Sequence, residues 1–265
     1  MKLLVVAAAA LALASPASFL QSRQGADGGF AEPGETATPG LTAWAAIGLA
    51  AAGASTGNAH DYLVAHEPEL ASATDVELAV VAEAVTGGAS PALLARLRAL
   101  VQPSGRIGPA LNSTIWGILA LRQAGRDAPA ESVRYLTAHQ SRSGGFAWLE
   151  GGTPDSNTTA AAVEALGPGP AATHALAYLE RLEGRDGGFA LSAGHGSDAQ
   201  STAWAIQAFL ASGRKTPPAA TAYLARLKRP NGSYRYSSAY VTTPVWVTAQ
   251  VLAALAGKPL PLPAG

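Results

Sequence analysis

The chain has 265 residues, of which 48% are hydrophobic and 14% are charged, with 29 glycines and no cysteine. This composition allows a sizeable core and excludes global disorder, while 18 basic against 18 acidic residues exclude the basic surplus that nucleic acids select. The lack of cysteine excludes disulfides, thiolate zinc sites and cysteine nucleophiles. The charged fraction lies below the roughly 25% of ordinary soluble domains, so the fold has to explain a charge deficit.

The N-terminus has the pattern of a secretory signal peptide. Met1 and Lys2 precede an apolar run, Leu3 to Ala14, and the small residues Ser15-Pro16-Ala17 follow it. A basic start, about a dozen apolar residues and a small-residue cleavage site are typical of export signals, whereas a membrane span needs roughly 20 residues. We predict a signal peptide at residues 1–17, cleaved after Ala17, and a secreted or extracytoplasmic protein. The alternative is a buried N-terminal helix.

Short turns, most of them with paired glycines, recur along the rest of the chain, and each follows a short helical segment. Their sequences are Asp27-Gly28-Gly29-Phe30, Ser104-Gly105-Arg106-Ile107, Ser143-Gly144-Gly145-Phe146, Asp186-Gly187-Gly188-Phe189 and Asn231-Gly232-Ser233-Tyr234. A further copy begins at Tyr62-Leu63, but its turn has lost the glycines. A period of about 40 residues is typical of repeat architectures, and the chain therefore contains six units.

Each unit combines two helical patterns of different polarity. The first keeps a polar face, as with Glu180 and Arg181 after Tyr178-Leu179, and the second is apolar nearly all round, as in Ser201-Thr202-Ala203-Trp204. Alanine and leucine at this density favour helix, and a helix without a polar face is a buried one. We predict an all-α protein, an α/α toroid of six helix pairs with inner and outer rings, over residues 18–257. A Pro-rich tail, residues 258–265, ends the chain.

Three segments resemble the prenyltransferase and squalene oxidase repeat. They are Gln24 to Phe30, Gln140 to Phe146, and Asp198-Ala199-Gln200-Ser201-Thr202-Ala203-Trp204. The resemblance covers roughly residues 19 to 257 and implies the α/α toroid of triterpene cyclases, protein prenyltransferase β subunits and cobalamin carriers. Because these families use one fold for different tasks, the resemblance does not select a function.

The segment from Asp155 to Thr158 occupies the place of the acid motif of class II terpene cyclases. Asn157 stands where those enzymes carry the central acid, and an amide cannot protonate an alkene. Glu77 and Asp155 are the acids that could replace it in an alternative, catalytic interpretation. The other interpretation is that Asp75, Asp155 and Asp198 cap helices, since each precedes or opens an apolar helical segment.

The resemblance also raises the possibility of zinc, which protein prenyltransferases hold with Asp, Cys and His. This chain has no cysteine, and its five histidines lack ligand spacing on one helical face. We expect no metal and no cofactor.

Aligning the inner helices predicts one shared face of tryptophans and polar residues. Residues three apart share a helix face, so Trp204 and Gln207 point the same way. Buried polar groups are costly against an apolar outer layer, which favours a face toward a central cavity. The alternative is that the tryptophans fill the core and the polar residues lie near helix ends. A second candidate surface is the mouth, where the glycine turns meet the starts of the inner helices, and it carries Trp148 and Tyr236. The predicted ligand-binding residues are therefore Trp44, Glu83, Trp116, Glu164, Trp204, Gln207, Gln250, Trp148 and Tyr236.

These observations favour an exported toroid that binds a small apolar or amphipathic ligand, such as an isoprenoid, without catalysis. No nucleic-acid partner and no stable membrane span are expected. Two alternatives stay open: a terpenoid cyclase-like enzyme with a degenerate acid motif, and a cell-surface module that contacts glycans or proteins through its aromatic mouth.

Overall fold

The computed structural model describes residues 14–262; the predicted signal segment before Ala14 and the last three residues of the tail lie outside this range. Two sets of six helices alternate along the described chain. The outer helices are α1 (Pro16–Gln21), α3 (Ala59–Ala65), α5 (Pro91–Ala99), α7 (Ala130–Ala138), α9 (Pro170–Glu180) and α11 (Pro218–Leu227). The inner helices are α2 (Pro39–Ala51), α4 (Ala73–Thr86), α6 (Leu111–Gln123), α8 (Ser156–Leu166), α10 (Ala199–Ala211) and α12 (Pro244–Leu255).

The inner helices close into a ring. Each one packs on the next in chain order, and α12 returns onto α2. Gly48 of α2 lies so close to α12 that a Cβ atom there would be 2.4 Å from the Ala249 carbonyl oxygen. Small residues therefore let these helices crowd around one axis, and the inner ring, buried on most sides, leaves little room for charge. The predicted α/α toroid is confirmed, and it accounts for the low charged fraction.

A threonine fixes the turn of each unit to its inner helix. The backbone N–H of the last turn residue donates to the threonine hydroxyl within 2.8–3.0 Å in five units. The pairs are Phe30 with Thr42, Ile107 with Thr114, Phe146 with Thr159, Phe189 with Thr202 and Tyr234 with Thr248. Because these N–H groups are buried, the hydroxyl satisfies donors that would otherwise lack a partner.

The glycine turns adopt the left-handed conformation expected from their sequence. Gly144 has φ +91°, and a Cβ atom there would lie 2.3 Å from the carbonyl oxygen of His174 at the start of the next outer segment. Phe146 follows it and is fully buried, as are Phe30 and Phe189 at the same position of their units. These phenylalanines therefore act as structural plugs in the core.

Two hairpins extend the turns of the fourth and fifth units, an addition that the repeat pattern did not predict. Strand β1 (Phe146–Ala147) pairs antiparallel with β2 (Pro154–Asp155), and β3 (Phe189–Ala190) pairs with β4 (Ser197–Asp198). The second strand of each pair leads directly into an inner helix, α8 or α10. The hairpins therefore place their loops beside the ends where the inner helices begin.

The loops also tie four of the six units to the preceding one. The carbonyl oxygens of Trp148, Leu191 and Tyr236 accept hydrogen bonds from the first or second N–H of α6, α8 and α10, at 3.0, 2.9 and 2.7 Å. Glu32 holds the same position in the first unit, and its carboxylate accepts from the Val245 and Trp246 N–H groups of α12, both at 2.9 Å. A side chain from the first unit thus caps the last helix and closes the ring.

The Pro-rich tail packs into the toroid instead of projecting from it. Leu260 and Leu262 are buried in the main core. The Leu262 N–H donates to Gln123 Oε1 at 2.6 Å, near the end of α6. The tail therefore fills the end of the barrel at which the inner helices finish.

Candidate functional site

The candidate site is a cavity of about 440 Å³ at the end of the barrel where the inner helices begin. Its wall is formed by residues from the first two turns of all six inner helices, together with the loops of the two hairpins. All five tryptophans of the chain line it. Those residues are Trp44, Trp116, Trp148, Trp204 and Trp246.

Three of these tryptophans meet at the centre of the ring. Trp44, Trp116 and Trp204 come from α2, α6 and α10, which are alternate inner helices, and their ring centroids lie 5.4–6.0 Å apart. Every pair is edge-to-face, with planes at 88–90°, an arrangement favoured by the indole quadrupole. The Trp204 Nε1–H donates to Gln250 Oε1 at 2.9 Å. We refer to these three residues as the tryptophan triad; it forms the floor of the cavity.

The triad divides the polar face that the sequence predicted as one surface. Glu164 and Gln207 follow the cavity-lining Ala161 and Trp204 by one turn, so they lie below the floor, toward the tail. Glu164 Oε2 accepts from the Leu260 N–H at 2.5 Å, and complete burial raises the pKa of its carboxyl to about 8. Glu164 and Gln207 are buried but outside the cavity lining; a ligand-binding role for them stays a prediction.

Glu83 also lies away from the cavity. The second unit was aligned in the wrong register, because it lacks both the turn glycines and the threonine. In the structure, Leu78 of α4 occupies the position that Trp44 has in α2 and Trp116 has in α6. Glu83 instead turns toward the outer layer, where its Oε2 accepts from the Ser90 N–H at 3.0 Å. Burial raises the pKa of Glu83 to about 7.

The two predicted mouth aromatics differ in their placement. Trp148 lies at the rim, with 53% of its surface exposed, and lines the cavity. Tyr236 is half-buried against the core and contributes its backbone carbonyl to the start of α10. The rim also exposes Leu149, Leu191 and Tyr240.

Asp155 is the carboxylate of the cavity wall, and it caps α8. Its Oδ1 accepts from the Thr158 N–H and its Oδ2 from the Thr158 hydroxyl, both at 2.8 Å. Burial raises the pKa of Asp155, and these hydrogen bonds oppose the increase. Asp198 makes the same pair of contacts with Ser201, at 2.7 and 2.8 Å. Asp75 forms a reciprocal capping box with Ser72. Asp155 and Asp198 are therefore N-caps, as one of the two interpretations expected, whereas Asp75 lies at the third position of α4 and supports the cap residue Ser72.

Glu77, the other candidate acid, lies outside the cavity lining. It is fully buried in α4, and neither carboxylate oxygen has a partner among the described residues. Burial raises its pKa well above the usual range, because the buried site disfavours the charged form.

The remaining polar lining lies at the starts of the inner helices. Asn112, Asn157 and Gln200 occupy equivalent positions there, and each stands four residues before a floor or wall residue. Trp246 has the same place in α12. Asn112 and Trp246 were not among the site residues predicted from the sequence, although extending the aligned columns by one turn toward the N-terminus includes both.

Two classes of site are not found within residues 14–262. No group of three His, Cys, Asp or Glu side chains there could hold a metal ion. No helix of that part of the chain is long and apolar enough to cross a membrane.

No protein-family model and no curated protein matches this chain. Solved structures do. The type II terpene cyclase MstE from Scytonema, as a variant bound to geranylgeranyl dihydroxybenzoate, has a TM-score of 0.70 at 16% identity, over 91% of this chain and 95% of that one. A glycosidase variant in complex with glucose has a TM-score of 0.67 at 13% identity, over 91% and 94%. A protein from Actinoplanes has a TM-score of 0.65 at 19% identity, over 91% and 97%. The fold is therefore that of the terpenoid cyclase-like α/α toroids, in which different functions occur.

Proposed function

We propose that this protein binds a small apolar or amphipathic molecule in the tryptophan-lined cavity without transforming it. The observation that carries the proposal is the gathering of all five tryptophans of the chain around one cavity. Tryptophan packs apolar ligands over a large rigid surface, and a concave apolar pocket with a few polar groups is typical of small-molecule sites.

The dimensions of the cavity set the size of the ligand. A volume of about 440 Å³ holds about 15 non-hydrogen atoms if each takes the ~30 Å³ of a water molecule in the liquid. An isoprenoid of about 15 carbons has this size. Residues 1–17 have the pattern of a signal peptide, and we therefore propose that the protein is exported.

The chemistry of the wall argues against catalysis. Both oxygens of Asp155 accept hydrogen bonds from Thr158, which favours the charged carboxylate over the neutral acid that protonates an alkene. Asn157 and Gln200, the residues beside it in the lining, carry amides. Burial raises the pKa of Glu77, but this residue lies outside the lining.

A terpenoid cyclase-like enzyme is the second candidate. One observation favours it: Asp155 lines the cavity, and burial raises its pKa above the usual value. The type II terpene cyclases that share the fold add to this case. The decisive assay is turnover of squalene or a polyprenyl diphosphate by the wild type and by Asp155→Asn. Turnover by the wild type that is lost in Asp155→Asn establishes an enzyme. No turnover by the wild type supports a binding protein.

Native mass spectrometry of the protein purified from its own cells tests the binding proposal. We expect a retained small molecule that is lost in Trp44→Leu, because this change removes an aromatic ring from the floor. Trp148→Ala removes a ring from the half-exposed rim, and we expect it to weaken retention of the molecule less than Trp44→Leu does. A wild-type protein that carries no molecule and shows no thermal shift with isoprenoids contradicts the proposal. Binding of glycans that is lost only in Trp148→Ala would favour an interaction module.

A further inference from the structure

Asn112 offers an unused hydrogen-bonding group to the cavity. It lies at the start of α6, lines the cavity and is 3% exposed. Its backbone N–H is paired with the Trp148 carbonyl oxygen at 3.0 Å, but its side-chain Nδ2 has no partner within the described chain. Buried amides are nearly always hydrogen-bonded, because leaving one unpaired costs its full hydration. This amide therefore needs a partner that enters from the cavity.

The charges around the cavity restrict what that partner can be. Asp155 is the charged side chain of the described lining, and none of the residues that form it is Lys, Arg or His. An anionic ligand would meet a carboxylate without a compensating cation, which is unfavourable in a buried site.

The helix ends offer little compensation for an anion. All six inner helices begin at this end, and their dipoles would attract one. However, N–H groups in the first turn of each inner helix already donate to oxygen atoms of the chain. The acceptors are the side chains of Thr38, Ser72, Asp155, Asp198 and Glu32 and the backbone carbonyl of Trp148. A phosphate would have to displace these caps.

We propose that the ligand is an uncharged, oxygenated apolar molecule, an alcohol or ketone of isoprenoid size, whose oxygen pairs with the Asn112 amide while its hydrocarbon body contacts the tryptophans. This inference rests on the proposed binding function and deepens it by naming the ligand class. An amide donates and accepts, so a hydroxyl group satisfies it in either orientation. A pure hydrocarbon would leave the Asn112 amide unpaired, and a diphosphate would bring negative charge next to the Asp155 carboxylate.

Three probes with one C15 skeleton test the proposal: farnesol, farnesene and farnesyl diphosphate, each titrated calorimetrically into the wild type, Asn112→Leu and Asn58→Leu. In the wild type we expect farnesol to bind about 10-fold tighter than farnesene, the effect of one neutral hydrogen bond, and at least about 10-fold tighter than the diphosphate. Asn112→Leu should reduce the preference for farnesol over farnesene to about 2-fold or less. Asn58→Leu, the same change at an exposed amide outside the cavity lining, should preserve it.

The outcomes separate this inference from the proposed function. Equal binding of farnesol and farnesene by the wild type, or an unchanged preference in Asn112→Leu, overturns the role of Asn112 and leaves the binding function intact. Tightest binding of the diphosphate overturns the uncharged class. Failure of all three probes overturns both proposals. The comparison of probes on the wild type needs no variant, so it decides the matter even if Asn112→Leu does not fold.

Discussion

Five of the six inner helices carry a threonine that holds the turn of its unit, and removal of this single residue should weaken that unit. Thr202 accepts from the buried Phe189 N–H at 2.9 Å. Thr202→Val keeps the shape but leaves this donor without a partner, so we expect the free energy of unfolding to fall by about 1–3 kcal/mol. Chemical denaturation measures the change. Thr202→Ser retains the hydroxyl and should lose less; equal stability of wild type and valine variant would show that the hydrogen bond contributes nothing.

Glu164 makes stability depend on pH. Burial raises its pKa to about 8, whereas the unfolded chain loses this proton near the ordinary value of 4.5. Between these values the folded state holds a proton that the unfolded state has released. The contribution is therefore complete below about pH 4.5 and is lost as pH rises toward 8, at up to about 1.4 kcal/mol per pH unit.

Glu164→Gln should remove this dependence, because the amide stays neutral. Urea denaturation at pH 5 and pH 8 should show the variant gaining stability relative to the wild type at the higher pH. Glu183→Gln, at an exposed position, is the control. Parallel pH profiles of wild type and Glu164→Gln would mean that the carboxyl of Glu164 titrates at its ordinary pH.

At the scale of elements, the joint between α12 and the first unit depends on Glu32. Thr243, at the start of α12, makes no side-chain cap, so the Glu32 carboxylate serves the Val245 and Trp246 N–H groups. Glu32→Ala should lower the free energy of unfolding by about 1–3 kcal/mol and speed hydrogen exchange at these two amides. The exposed Glu35→Ala is the control. Unchanged hydrogen exchange at Val245 and Trp246 would contradict the role of Glu32 in holding the start of α12 to the first unit.

The position of α1 bears on where the predicted signal peptide is cleaved. Ser15 caps α1, and its hydroxyl accepts from the Ser18 N–H at 3.0 Å. Cleavage after Ala17, as predicted from the sequence, would remove this cap together with Pro16. The residues Ala12-Leu13-Ala14 also fit a signal-peptidase site, and cleavage there preserves α1. N-terminal sequencing of the exported protein should therefore find Ser15 first; a start at Ser18 would support the original site.

At the scale of the whole molecule, the repeats made the toroid predictable. Turn glycines and apolar helices recur in register, so six helix pairs, the capping aspartates and the inward tryptophans follow from local patterns. The register of the second unit did not follow from local patterns, because this unit has lost the threonine and glycines that define it. Glu83 was therefore assigned to the wrong face of its helix. Glu32 with Val245, and Glu164 with Leu260, join distant parts of the chain, and only the closed ring brings them together.

The site was predictable in part for the same reason. Alignment of the inner helices grouped Trp44, Trp116 and Trp204 on one face, but it could not show that their rings meet edge-to-face and close the barrel. That contact depends on the ring diameter, which small residues such as Gly48 determine. Glu164 and Gln207 lie one turn beyond the cavity-lining Ala161 and Trp204, a separation that the alignment alone does not reveal.

Tryptophan fluorescence tests the central claim most directly, because every tryptophan of the chain lines the cavity. Titration of the wild type with farnesol should change the emission saturably, with one molecule bound per chain. Ala161→Phe, which fills the cavity while keeping all five tryptophans, should abolish the change at an unaltered unfolding midpoint. An emission spectrum that does not respond to the ligand, or that responds equally in Ala161→Phe, would contradict the claim that this cavity is the binding site.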